Sequence, residues 1–392
     1  MRVETVESAR SAWPRPSSVR PAERPVRALW AAAPALLGYL AVRAAGVLLA
    51  VHVGRDEQTG GLRRLATLWD AWWYQSIADH GYSGTGPVAG PHGAYQPYAF
   101  FPGYPALIRA LPVSAEWAAL AVSWAAAVAA AWGIFAIADH VYGRRVGVLT
   151  VLLWGVLPVA VIENAAYSEA LFTAFAAWAV YAALTRRWVL AGLLSSAAGL
   201  TRPTGIALAA AIGAAALWEL LRGRGGWRAL GAIALAPLGF VGYLAWVGHR
   251  MGRWDGYFRV QDAWESHFDL GRATWKSLKQ LFAGGGQVWF TDVVVAATLI
   301  TAVLMLGVSL VQRQPLVVLL YSAAMLALAL GDAAYFNSRA RFLLPAFGLL
   351  LPVATALART RNRLVLPLAF GMAALVSAAY GGYLLYGYPD AP

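Results

Sequence analysis

Long apolar runs separated by short polar stretches cover most of the chain. They predict spans near residues 28–52, 114–137, 146–162, 167–185, 188–201, 204–221, 228–248, 291–312, 314–331, 342–358 and 364–386. A helix needs about 20 residues to cross roughly 30 Å of hydrocarbon, and most of these runs approach or exceed that length. The third to sixth are short and closely spaced, so the pattern also admits ten or twelve spans beside the eleven read here. The runs are continuous rather than alternating, which predicts helices that close their own backbone hydrogen bonds and not the strands of a barrel. The expected fold class is an all-α polytopic membrane protein of about 11 transmembrane helices.

Two connections, residues 54–113 and 249–290, are far longer than turns and are rich in aromatics. Connections of that length in compact proteins are usually functional or disordered, and aromatic content argues for function. In the first, Leu65, Leu68, Trp69, Trp72, Trp73 and Ile77 fall on one broad arc of a helix, which predicts a helix lying in the membrane interface. Asp70 lies at the edge of that arc. The second carries a similar stretch, Arg272 to Phe282, in which Trp275, Leu278 and Phe282 share a side flanked by Lys276 and Lys279. Gly284-Gly285-Gly286 is expected to end it. No internal repeat is evident, which counts against the inverted-repeat plan of many transporters.

Composition agrees with this picture: 60% of the 392 residues are hydrophobic and 13% charged, far from the soluble pattern. Cysteine is absent, so disulfides and thiolate metal sites are excluded. The net charge of +12 would suggest a nucleic-acid partner in a soluble protein, but here the arginines alternate by loop. They fill residues 2–27 and recur at Arg144-Arg145, Arg186-Arg187, Arg222 to Arg228, Arg313 and Arg359 to Arg363. The positive-inside rule makes those loops cytoplasmic, places 54–113 and 249–290 outside, and leaves the N-terminus cytoplasmic and the C-terminus external. Residues 1–27 read as a disordered cytoplasmic tail and 28–392 as one membrane domain. Lysine occurs only twice against abundant alanine and arginine, a bias that suggests a bacterial plasma membrane.

Few groups on the external side can do chemistry. Asp70 is either a solvated interfacial acid or helix N-terminal charge, or a general base in a partly dry aromatic pocket. On an ideal helix Asp79 projects opposite to Asp70, so the two are not a catalytic pair. Asp79, His80 and His92 match no specific metal spacing, and no metal or other cofactor is called for. Ser168 and Glu169 look like a helix cap and first-turn acid. Glu163 closes a very apolar segment and is a candidate for orienting an acceptor sugar. Arg202, in Thr201-Arg202-Pro203-Thr204-Gly205, and Arg339 with Arg341 stand where external arginines are disfavoured, which invites a phosphate partner. Arg43 lies inside the first span and is expected to face the bundle interior. Nucleotide-binding, zinc-protease and nucleophile-elbow motifs are missing.

The stretch Trp69-Asp70-Ala71-Trp72-Trp73-Tyr74-Gln75-Ser76-Ile77-Ala78-Asp79-His80-Gly81-Tyr82, followed by Ala99-Phe100-Phe101-Pro102-Gly103-Tyr104-Pro105, resembles the first luminal loop of the PIG-V-like mannosyltransferases, membrane glycosyltransferases of the GT-C type. The similarity continues in order through Tyr167-Ser168-Glu169-Ala170-Leu171-Phe172, Thr201 to Gly205, and Ser338-Arg339-Ala340-Arg341-Phe342-Leu343-Leu344-Pro345. One departure is Tyr95, before Gln96, where relatives often carry an acid. The resemblance implies mannose transfer, with inversion, from a polyprenyl-phosphate donor to a lipid, glycan or glycoprotein acceptor on the non-cytoplasmic face, with membrane lipids as surroundings and no nucleic acid. Residue chemistry points the same way. An external acid is out of reach of cytoplasmic nucleotide sugars, and a phosphate leaving group needs cations rather than a second, protonating carboxylate. Asp70 is then the expected base, Arg202, Arg339 and Arg341 candidate phosphate contacts, and Trp69, Trp72 and Tyr74 candidate walls of the sugar or lipid pocket. The alternative is a lipid-linked glycan flippase or transporter, with a binding or scaffold protein third.

Overall fold

The computed structural model describes residues 25–54, 60–91, 93–284 and 288–391. The tail expected over 1–27 therefore falls almost wholly outside the described residues, as do Gly285 and Gly286. Helix α1 (Pro25–Val53) leads into a loop region holding α2 (Leu62–Thr67), α3 (Ala71–Gly84), a small hairpin of β1 (Val88–Gly90) and β2 (Gly93–Tyr95), and α4 (Gly103–Arg109). There follow α5 (Ala115–Tyr142), α6 (Arg144–Gly155), α7 (Glu169–Leu184), α8 (Trp188–Gly199), α9 (Gly205–Leu221), α10 (Gly226–Leu235) and α11 (Leu238–Arg250). The second loop region carries α12 (Gly256–Ala263) and α13 (Arg272–Ala283), and the chain closes with α14 (Phe290–Val311), α15 (Leu316–Gly331), α16 (Arg339–Phe342), α17 (Leu351–Leu357) and α18 (Val365–Tyr386).

Each expected apolar segment has its helix. Among the described residues, α1, α5, the α10–α11 pair, α14 and α18 are long and apolar enough to cross a membrane singly. The segment 336–357 is a bent pair with a 78° break, and α7, α8, α9 and α15 are shorter apolar helices. Short helices at membrane depth are tolerated where protein rather than lipid surrounds their ends. The segment expected as one span over 228–248 pauses at Pro237, which has no N–H to continue the ladder.

The bundle centres on α5, more than half buried, while α1 and α18 keep about a fifth of their apolar windows buried at 22% each. Small residues set that centre. Ala126, Ala127, Ala130, Ala131 and Gly133 of α5 are buried, α5 packs on α7, and a Cβ on Gly133 would stand 2.8 Å from Ala177 Cβ. Without a hydrophobic drive between helices in lipid, close backbone approach supplies the contact. Arg43 does face the interior: its Nη1 donates to the Ala160 carbonyl at 2.5 Å, and Glu163 lies within its electrostatic reach.

The interfacial helix expected across Leu65–Ile77 is broken. Leu68 is extended and Trp69 adopts a left-handed φ of 56°, so α2 ends and α3 restarts with Asp70 at its N-cap. The first loop region then packs on the second and on α11. Tyr95 stacks on Trp264 with centroids 4.2 Å apart, and Phe101 meets Tyr243 at 4.3 Å. Tyr243 Oη donates to the carbonyls of Tyr98 and Phe100, both at 2.9 Å, which ties α11 to the first loop.

Candidate active site

Asp70 stands at the start of α3, yet its carboxylate makes no cap bond. Its backbone N–H donates instead to Tyr167 Oη at 3.1 Å, and its Oδ2 accepts from Arg341 Nη1 at 2.9 Å. The left-handed turn at Trp69 is what releases the acid from helix capping and aims it across the bundle. Trp69 itself is held edge-on to Tyr167, 6.1 Å between centroids, so the turn and the ring beneath Arg341 are coupled. The Arg341 guanidinium lies 5.1 Å above that same Tyr167 ring, a cation–π seat.

Arg341 also reaches Glu169, with Nε 3.4 Å from Oε1, and Arg202 Nη1 approaches the same oxygen at 2.7 Å. Glu169 is 1% exposed, and these are close ion contacts rather than aligned hydrogen bonds. Arg202 completes its footing by donating to Ser168 Oγ at 3.0 Å, and Ser168 Oγ shares a 2.8 Å hydrogen bond with Tyr74 Oη. Burial pushes the Tyr74 phenol well above its ordinary range, so it stays a neutral hydrogen-bonding group. Two carboxylates and two guanidiniums thus balance in one cluster, in the order Asp70, Arg341, Glu169, Arg202.

Ser168 and Glu169 do stand at the N-cap and first turn of α7, as their spacing predicts, but the side chains serve a further purpose. Ser168 makes no side-chain cap bond, and both side chains are committed to the cluster. Their local spacing is that of a cap; their partners come from distant segments, which sequence spacing does not reveal.

The cluster borders a cavity of about 630 Å³. Asp70, Tyr74, Arg202 and Arg341 line it, and Glu169 stands just behind. Its lining mixes polar side chains, among them Gln261, His267 and Asp332, with apolar ones from the membrane helices, among them Ile206, Phe240, Met325 and Leu328. Asp332 accepts from the Ala334 N–H at 3.2 Å and from Ser266 Oγ at 3.3 Å, and burial raises its carboxyl above the usual carboxylate range. The second loop contributes Tyr257, Gln261, Trp264 and His267, none singled out in the sequence; its aromatic density was the available signal.

The remaining candidates stand off the cavity wall. Trp69 packs on Tyr167, and Trp72, 48% exposed, turns outward against Trp73. Glu163 accepts from Tyr39 Oη at 2.7 Å beside Arg43, inside the bundle, because its turn faces α1 rather than the loops. Arg339 is fully buried and donates to the Asp332 carbonyl; it stands two residues before Arg341 on α16, about half a turn away, and so is directed elsewhere. Among the described residues no group of three His, Asp or Glu side chains is placed to hold a metal ion.

No protein-family model and no curated protein sequence matches the chain. Solved structures do. The ArnT structure from Cupriavidus metallidurans, bound to undecaprenyl phosphate, aligns with a TM-score of 0.56 at 14% identity, covering 87% of this chain and 63% of that one. The apo oligosaccharyltransferase of Archaeoglobus fulgidus aligns with a TM-score of 0.54 at 13% identity, covering 92% and 57%. The same enzyme tethered to an acceptor peptide gives 0.52 at 13%, covering 91% and 55%. The chain thus spans under two thirds of each of these proteins, and what it shares with them is the GT-C fold, an all-helical polytopic membrane architecture.

Proposed function

We propose that the protein is an inverting, polyprenyl-phosphate-mannose-dependent mannosyltransferase working on the non-cytoplasmic face of the membrane. The observation that carries the reading is the cavity in which Asp70 and two arginines meet, lined also by apolar side chains of the membrane helices. The polyprenyl chain lies along Ile206, Met325 and Leu328, and the phosphate sits against Arg202 and Arg341. The sugar extends toward Asp70 and Tyr74.

In the reaction, the acceptor oxygen bonds to the sugar C1 as the bond from C1 to the phosphate oxygen breaks. The hydroxyl proton passes to Asp70, whose Oδ1 has no partner among the described residues, and the electron pair leaves with the phosphate. A phosphate leaves without being protonated, so cations suffice on that side. Arg341 has two tasks: it fixes Asp70 through Oδ2 and presents further N–H groups to the cavity. The fold likeness to ArnT bound to undecaprenyl phosphate and to an oligosaccharyltransferase supports a lipid-linked donor. Mannose rests on the resemblance of the loop motifs.

The test is to incubate purified protein in membranes with labelled polyprenyl-phosphate-mannose and a lipid, glycan or glycoprotein acceptor fraction. The reading expects a product heavier by one hexose. Movement of intact lipid-linked sugar across vesicles with no transfer would instead support a flippase.

A further inference from the structure

Helix α13 presents an unusual side to its surroundings. Thr274 is 3% exposed and donates to the Leu330 carbonyl, so that face is seated on α15. At 100° per residue, Phe282, Trp275, Lys279, Arg272 and Lys276 follow one another around the adjoining side, an arc of about 120°. All five are exposed, Trp275 by 70% and Phe282 by 73%. Lys276 and Lys279 are the only lysines in the chain, and none of the three cations has an acidic partner among the described residues. Two large aromatics beside three uncompensated cations suit the headgroup layer of an anionic leaflet: rings at the acyl boundary, charges at phosphates.

The helix is also bolted to the cavity. Asp269 accepts the N–H groups of Gly271 at 2.8 Å and Ala273 at 2.7 Å, and its own N–H donates to Gly331 at 2.8 Å. Ala333 N–H donates to the His267 carbonyl at 2.9 Å, so the start of α13 and the cavity-lining residues His267, Phe268 and Asp332 form one hydrogen-bonded unit.

We propose that the exposed arc of α13 is a docking surface for anionic phospholipids of the surrounding leaflet, and that its seating holds the His267–Phe268 wall of the cavity in place. Each cation near an anionic surface should raise the ratio of seated to lifted helix about five-fold.

The absence of native cysteine allows a clean test. Gln280→Cys, labelled with an environment-sensitive dye, is reconstituted in phosphatidylcholine vesicles and in vesicles that also contain phosphatidylglycerol. Expected are a shift toward apolar emission and slower amide exchange over residues 264–271 with phosphatidylglycerol, both weakened by high salt. The response should vanish in the variant that also carries Arg272→Gln, Lys276→Gln and Lys279→Gln. Thermal unfolding in detergent should be unchanged by these surface replacements, which separates lost docking from misfolding. Equal emission in both lipids, a response that survives the triple replacement, or one reproduced by inorganic phosphate would overturn the proposal. No donor or acceptor is present, so the outcome does not depend on the transferase reading.

Discussion

Arg341 is the side chain whose removal should weaken donor use and loosen Asp70 together, with acceptor binding left intact. Its side chain is 8% exposed, and its guanidinium joins Asp70 at 2.9 Å to Glu169 at 3.4 Å. Arg341→Ala leaves Asp70 with no ion partner and Glu169 with Arg202 alone. Breaking a buried pair costs about 3–5 kcal/mol, and because the Asp70 side chain is 23% exposed, the loss should lie near the lower end. For turnover, one donor to developing charge is worth roughly 2.7–4 kcal/mol, or about 10²–10³ in kcat. Arg341→Lys keeps the charge but not the fork, so it can serve one carboxylate at a time and should fall between the two. The assay is initial-rate transfer from labelled polyprenyl-phosphate-mannose, varying donor and acceptor separately, with thermal unfolding as the folding control. Donor kcat/KM should drop by the stated factor while acceptor KM holds. Arg339→Ala, on the same short helix but turned to the Asp332 carbonyl, should lower thermal stability without a selective donor defect. Wild-type donor kcat/KM in a folded Arg341→Ala protein, or an equal donor-selective loss in Arg339→Ala, would refute the assignment.

Two further outcomes follow from local geometry. A Cβ on Gly103 would stand 2.8 Å from the Leu200 carbonyl and 3.0 Å from Thr201 Cγ2, so Gly103→Ala should push the first loop off the turn that carries Arg202. Overpacking of this kind costs about 1–3 kcal/mol, read as a lower unfolding midpoint together with reduced turnover. Burial raises the Asp332 carboxyl, so the folded protein holds this proton more tightly than the unfolded chain. Its contribution to stability is complete below the ordinary carboxylate value near ~4 and is lost as pH rises through the raised value. Asp332→Asn should therefore gain stability relative to wild type at neutral pH and flatten the profile, measured as unfolding midpoints across the acid-to-neutral range.

The membrane helices were legible because hydrocarbon imposes one requirement, a long apolar run, that local sequence states directly. Asp70 stood out for a related reason: an acid among aromatics is locally anomalous. The break at Trp69 was hidden, since a tryptophan with positive φ has no sequence signal and the flanking apolar pattern reads as one helix. Glu169 was hidden differently. Its local pattern with Ser168 is that of a cap, whereas its actual role depends on Arg202 and Arg341, brought in by other helices. Long separation likewise hides the pairing of Asp70 with Arg341, 271 residues apart along the chain and in contact in the fold. Arg339 and Arg341 look equivalent in sequence; only the direction of a four-residue helix tells them apart.

The central claim is that Asp70 takes the acceptor proton. Asp70→Asn keeps the size of the side chain and an oxygen for Arg341, but cannot act as a base. Rapid-quench transfer of labelled mannose from a saturating lipid donor, in protein shown to be folded and to bind donor normally, isolates that step. A fall in the single-turnover rate of about 10²–10⁴-fold with donor binding unchanged is the predicted result. Transfer at the wild-type rate would contradict it.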